Sequence, residues 1–132
     1  MKESYVYTSL TRISNLPEID FEVKPVPQRE WRNADYALVE VTTHRNVLNI
    51  ELANGRMVHA AKGDLVVGAL GVRFATLEAV GSWRDVGADL QMELLTGAGL
   101  LGKATSSSFQ LPPLIRVGYL GHIFVKGKPA NM

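Results

Sequence analysis

The sequence contains no cysteine. Disulfides, thiolate catalysis, cysteine-ligated zinc and iron–sulfur clusters are thereby excluded. Acidic residues stop at Glu93: residues 94–132 hold Lys103, Arg116, Lys126 and Lys128 and no carboxylate side chain. No segment carries an apolar stripe of helical period over ten or more residues, so crossover helices and a parallel α/β sheet are not expected. The longest uncharged run, Ala104 to Ile115, is too short to span a bilayer and contains Pro112 and Pro113. Met1-Lys2-Glu3-Ser4 leads into no apolar core of a secretory signal, and the chain reads as cytoplasmic. The three histidines, His44, His59 and His122, form no H-x-H or H-x-x-x-H pair, so no local metal signature exists.

What is present is apolar and rich in strand formers. The 132 residues are 46% hydrophobic and 20% charged, which places the chain among globular single domains. The formal charge of +1 exerts no general pull on nucleic acid or acidic lipid. Strands are expected at 4–10, 36–42, 47–61 (as a hairpin), 65–70, 74–80, 90–95 and 114–126. Glycines sit mostly at strand ends, where strands bend sharply. The expected fold is all-β: a small closed or semi-closed antiparallel barrel of about seven strands, with a β-sandwich as the alternative.

Residues 14–35 read differently. Pro17, Pro25 and Pro27 interrupt any period, and Leu16, Ile19, Phe21, Val23, Val26 and Trp31 are the large apolar anchors. This is an extended arm or long loop with a short edge strand at 20–24, placed to cover an edge or reach a partner. The C-terminal Lys126-Gly127-Lys128-Pro129-Ala130-Asn131-Met132 looks like a linker, so the single domain over 1–132 is compatible with membership of a longer protein.

Asn54-Gly55 between alternating runs signals a tight hairpin, because both residues tolerate positive φ. A two-residue loop pairs Leu52 with Met57 and Ile50 with His59, and sets His59 on the apolar face with Leu48, Ile50, Leu52, Met57 and Ala61. A three-residue loop flips the second strand and sends Val58 inward instead. In the first register His59 is half-buried, where it either packs with one satisfied nitrogen or acts as an acid or base. Glu78, in the apolar run 74–80, faces solvent or a barrel lumen, with Arg73 at the rim. Asp64, after Gly63, caps a turn. His59 with Glu78 or Asp64 is the best proton-transfer constellation.

Residues 90–105 overlap two phosphate-binding patterns. Gly97, Gly99 and Gly102 match G-x-G-x-x-G, and Gly97 to Lys103 matches G-x-x-x-x-G-K. Both need a following helix, whose free N–H groups meet phosphate oxygens. Here a Ser/Thr-rich stretch runs into Pro112-Pro113, Ala104 replaces the magnesium-binding Ser or Thr, and no acid follows for a ribose. The plain reading is a glycine-bent strand pair with Leu100 and Leu101 packed inward. Serines 106–108 form no nucleophile elbow. Aromatic residues are not interleaved with basic ones, so nucleic-acid binding is not expected.

The function expected from these residues is a non-catalytic β-barrel binding or assembly module. Self-association is expected, because apolar strands and the arm leave edges to cover. Rival readings are a small-molecule enzyme with a barrel pocket, an anion or nucleotide binder at Gly97, Gly99, Gly102 and Lys103, and an RNA-binding barrel. No particular cofactor or ligand is indicated, and no membrane partner is expected.

Overall fold

Among the described residues, three strands are apolar on both faces, and their burial organises the molecule. They are β3 (Tyr36–Val41), β6 (Leu65–Leu70) and β11 (Arg116–Val125). The computed structural model describes residues 5–43, 49–73, 80–106 and 114–132. The remaining strands are β1 (Tyr5–Tyr7), β2 (Glu22–Lys24), β4 (Asn49–Glu51), β5 (Met57–His59) and β7 (Val72–Arg73), then β8 (Val80–Ser82), β9 (Gln91–Leu94), β10 (Leu100–Ser106) and β12 (Lys128–Pro129). The expected strand at 74–80 lies outside the described residues except for Val80, which opens β8. No helix among the described residues is long and apolar enough to cross a membrane.

The all-β expectation holds, and the sheet partly closes on itself. β6 pairs with β3, β3 with β11, β11 with β9 and β9 with β10, all antiparallel. The ring then closes through a parallel seam of two residue pairs, Leu100↔Ala69 and Leu101↔Leu70. β1 also runs parallel to β6. The sheet is therefore mixed rather than purely antiparallel. Parallel neighbours need a long connection, and the segment from Gly71 to Gly99 supplies it at the seam.

Strand alternation then sorts the core into two layers. Ala37, Val39, Val41, Val66, Leu70, Met92, Leu101 and Val117 fill the ring's interior, while Tyr36, Leu38, Val67, Ala69 and Ile123 face outward in a second cluster. Among the described residues the interior is packed mainly with aliphatic side chains, and His59 is exposed outside it. Strands buried on both faces require a cover on the outer side. The 14–35 arm provides it. Leu16 is fully buried, and Ile19, Phe21 and Val23 pack against the same outer cluster. Burying a leucine this way stabilises by about 2 kcal/mol. β2 forms the expected edge strand and pairs with β11. Trp31, only 5% exposed, passes over the end of the barrel into the inner cluster. The arm is thus a wrap seated on its own barrel, with short 3-10 turns at Leu16–Glu18 and Gln28–Glu30 and a further one, Ser9–Ser14, leading into it.

The hairpin takes the three-residue loop. Leu52 N–H donates to Arg56 O at 2.8 Å, Gly55 has φ +88°, and Asn54 Oδ1 accepts from Arg56 N–H. Ile50 accordingly pairs with Val58 and Asn49 with His59. Ile50 is fully buried and Val58 packs on the inner cluster, whereas Met57 and His59 are exposed. The register that buried His59 is corrected. Pairing Ile50 with Val58 buries two apolar side chains and leaves the imidazole its water.

The seam depends on glycine. Gly68 lies against the Gly99 carbonyl, which accepts from Ala69 N–H at 2.9 Å, and a Cβ at residue 68 would overlap that oxygen. Gly68→Ala should therefore lower the unfolding free energy by about 1–3 kcal/mol in urea titration. An unchanged midpoint would show that the seam tolerates the methyl group.

Candidate functional site

The residues nominated from the sequence separate into three places. His59 and Asp64 line one cleft of about 660 Å³, between β1, the 3-10 turns that follow it, and the β4–β5 hairpin. Asp64 Oδ2 accepts from Ala61 N–H at 2.9 Å, the turn cap expected of it. Arg73 is elsewhere: its guanidinium donates to Leu95 O at 2.7 Å beside the β9–β10 turn. Glu78 lies outside the described residues, as do His44 and the Ser107–Ser108 part of the serine run.

The glycines of the 97–103 stretch pack within the fold. Gly97 O accepts from Glu51 N–H, and Gly99, at φ +108°, turns the chain beside Thr8. Gly102 packs against Leu95 and the Ser82–Trp83 backbone. After Gly99 the chain continues as β10, so no helix N-terminus faces a phosphate. Lys103 Nζ stands 3.7 Å from Glu93 Oε2, and Glu93 Oε1 accepts from Ala104 N–H at 2.7 Å. The last acidic side chain in the sequence thus joins β9 to β10 and pairs with the lysine.

The cleft has mixed chemistry. Its walls are Tyr5, Val6, Tyr7, Leu52, Val58 and Pro17, and its ionisable groups are Arg12, Glu18, His59 and Asp64. Arg12 Nη1 donates to Ala53 O at 3.2 Å, which fixes the guanidinium at the lip. Tyr5, Tyr7 and Phe21 form an aromatic group with ring centroids 6.2–6.4 Å apart, stiffening the β1 wall.

A second arrangement was missed by sequence reasoning. His122, fully buried, has Nε2 2.9 Å from Asp35 Oδ2 and Nδ1 2.7 Å from the Tyr119 hydroxyl. Asp35, 3% exposed, also accepts from Arg32 N–H at 2.9 Å and from Asn131 Nδ2 at 3.0 Å. Tyr119 accepts from Val26 N–H at 3.0 Å, and Trp31 Nε1 donates to Val26 O at 2.8 Å. Strand alternation puts residues 119 and 122 on opposite faces. The β3–β11 register slips between Tyr119 and Gly121, leaving Leu120 as a bulge that resets the alternation and brings both side chains to one face. No sequence signal marks that bulge beyond the neighbouring Gly118 and Gly121.

Proton positions follow from the partners. With Asp35 ionised, His122 Nε2–H donates to it, Nδ1 accepts the phenolic proton of Tyr119, and the phenol oxygen accepts from Val26. Every atom is satisfied with His122 neutral. Burial lowers the His122 pKa, opposed by the hydrogen bond and charge of Asp35. Burial likewise raises the Tyr119 phenol, so this tyrosine is not an activated one. Both imidazole nitrogens are engaged within the fold, and the triad locks the arm, β3, β11 and the C-terminal segment together. Its outer side forms the floor of a shallow groove of about 990 Å³.

No known family model, no curated protein and no solved structure matches this chain.

Among the described residues no three His, Asp or Glu side chains gather in the manner of a metal site. Trp83, with Arg84 4.9 Å over its ring, gives its indole N–H to Asn33 Oδ1. Trp31, Tyr36 and Tyr119 are committed to packing and internal hydrogen bonds. These aromatics do not present the row of open faces on which single-stranded bases stack.

Tyr119→Phe leaves His122 Nδ1 and Val26 N–H without a partner and should cost about 1–3 kcal/mol of unfolding free energy in denaturant titration. The pH dependence has a defined sign. The folded His122 pKa lies below its ordinary 6.5, so the unfolded chain binds more protons in acid. Its stabilisation is complete above pH 6.5 and is lost as pH falls through the lowered folded value. Thermal melts should show that decline, and His122→Gln should flatten it; equal slopes in both proteins would contradict the assignment.

Proposed function

We propose that the chain is a ligand-binding β-barrel module whose site is the cleft between β1, its 3-10 turns and the β4–β5 hairpin. The carrying observation is the cleft itself: about 660 Å³ of concave, largely apolar surface with a few ionisable groups at its edge. Small-molecule sites have this size and composition. The alternative of an assembly module draws less support, because the arm that was free to cover a partner covers its own barrel. The anion reading at Gly97–Lys103 draws none from a strand whose lysine faces Glu93. Self-association therefore rests on the exposed strand edges alone.

A second reading, proton transfer by His59 and Asp64, is favoured by their sharing the cleft. Against it, Asp64 is engaged by the turn it caps. Native mass spectrometry separates the two. A binder retains a ligand of the same mass in the parent and in His59→Gln. A catalyst retains a different species once the histidine is gone.

The binding reading is tested with 1-anilinonaphthalene-8-sulfonate, whose apolar rings and single anion suit the walls and Arg12. Ala53 stands on the cleft wall, half-buried, and Ala53→Trp fills the space. Fluorescence titration should show the dye binding the parent and at least about tenfold weaker binding to the variant, a loss of about 1.4 kcal/mol. Equal binding by two proteins of equal melting temperature would exclude the cleft.

A further inference from the structure

Arg12 and Glu18 are both exposed, both face the cleft, and neither has an ion-pair partner among the described residues. They sit on consecutive 3-10 turns, separated by Asn15 at φ +56°. Arg12 is held in place by the Ala53 carbonyl, with further N–H donors beyond the one that bond uses. An apolar wall with Tyr5, Tyr7 and Val58 shares the cleft with these two charges.

Asp64 also lines the cleft but is engaged by the turn it caps, so Arg12, Glu18 and the apolar wall are complementary to a ligand carrying both charges on an apolar body. A planar guanidinium matches a carboxylate through two parallel hydrogen bonds. A carboxylate at the other turn matches an ammonium. A purely apolar ligand would leave both charges to solvent or bury them at a cost. We infer that the ligand is a zwitterion of short-peptide size, its terminal carboxylate on Arg12, its ammonium on Glu18 and its side chains against Tyr5, Tyr7 and Val58. A free amino acid places both charges on one carbon. A cleft of about 660 Å³ is far larger than one amino acid, and a short peptide fills it better. This inference rests on the cleft being the ligand site.

The probe is the dipeptide L-phenylalanyl-L-leucine, offered in competition with the bound dye, together with its N-acetyl form, its C-terminal amide and free L-phenylalanine. The dipeptide should displace the dye. Acetylation and amidation should each weaken binding by about fivefold, the upper range for one exposed charge pair. Free phenylalanine should bind more weakly than the dipeptide. Glu18→Gln should bind the acetylated and free dipeptides alike, and Arg12→Gln the amide and the free dipeptide alike, with melting temperatures close to the parent's.

Equal affinities for all three dipeptides, or no displacement from a cleft that Ala53→Trp has shown to hold the dye, would overturn the zwitterion while the cleft stands. Phenylalanine binding as well as the dipeptide would overturn the peptide-sized ligand. Dye binding untouched by Ala53→Trp would remove the cleft, and this inference with it.

Discussion

A strand apolar on both faces cannot stand at the surface, and β3, β6 and β11 are all of that kind. Their inner side chains close on one another inside the partly closed ring. Their outer side chains need a second layer, and a small all-β chain has no helix to spare for it. The proline-punctuated arm is the layer. Its 3-10 turns and short β2 place Leu16, Ile19, Phe21 and Val23 over Tyr36, Leu38, Val67 and Ile123. Regular structure is unnecessary there, because β2 and side-chain bonds satisfy parts of the backbone that a longer strand would otherwise pair.

The polar triad follows from the same requirement. An arm laid across a barrel end must be held against fraying. Trp31 supplies apolar area, and Val26 is bonded on both sides, by the Tyr119 hydroxyl and the Trp31 indole. Asp35 extends the network to Asn131 near the C-terminal end, where Tyr36 N–H also donates to Ala130 O at 3.0 Å. A buried carboxylate and a buried imidazole are costly unless every lone pair and proton is used. Here every nitrogen and oxygen of the two side chains has a partner, with one residue, Leu120, bulged out of register to make the geometry possible. The arrangement resembles a catalytic relay in composition, yet its two imidazole nitrogens are committed internally, and that favours a structural role over chemistry.

The cleft arises where the wrap begins. The 3-10 turns leave β1 and pass beneath the hairpin, and the flipped register of that hairpin decides which side chains face the gap. Had Asn54-Gly55 formed a two-residue loop, His59 would point at the barrel with Ile50 and Val58 would point away. The three-residue loop moves the histidine to the water-exposed side, where it joins Asp64, Arg12 and Glu18 around apolar walls.

Much of this was legible in the residues. β-branched and aromatic runs marked β3, β6 and β11, and the edge strand was readable between prolines at 20–24, where β2 forms at Glu22–Lys24. The departures from the phosphate motifs were readable too, since Ala104 and the Ser/Thr-rich stretch ending in Pro112-Pro113 are sequence facts. These features depend on local stereochemistry and on alternation, which a linear sequence carries. The parallel seam, the hairpin register, the bulge at Leu120 and the meeting of Asp35 with His122, 87 residues apart, are different. Each is a choice between local conformations of similar energy, and only the packing of distant segments selects one. Sequence alone therefore determined that this chain is an apolar all-β domain without cysteine chemistry. Tertiary structure decided where its arm lies, which histidine is buried, and that Arg12 and Glu18 face one cleft, because those outcomes belong to contacts between segments and not to any segment by itself.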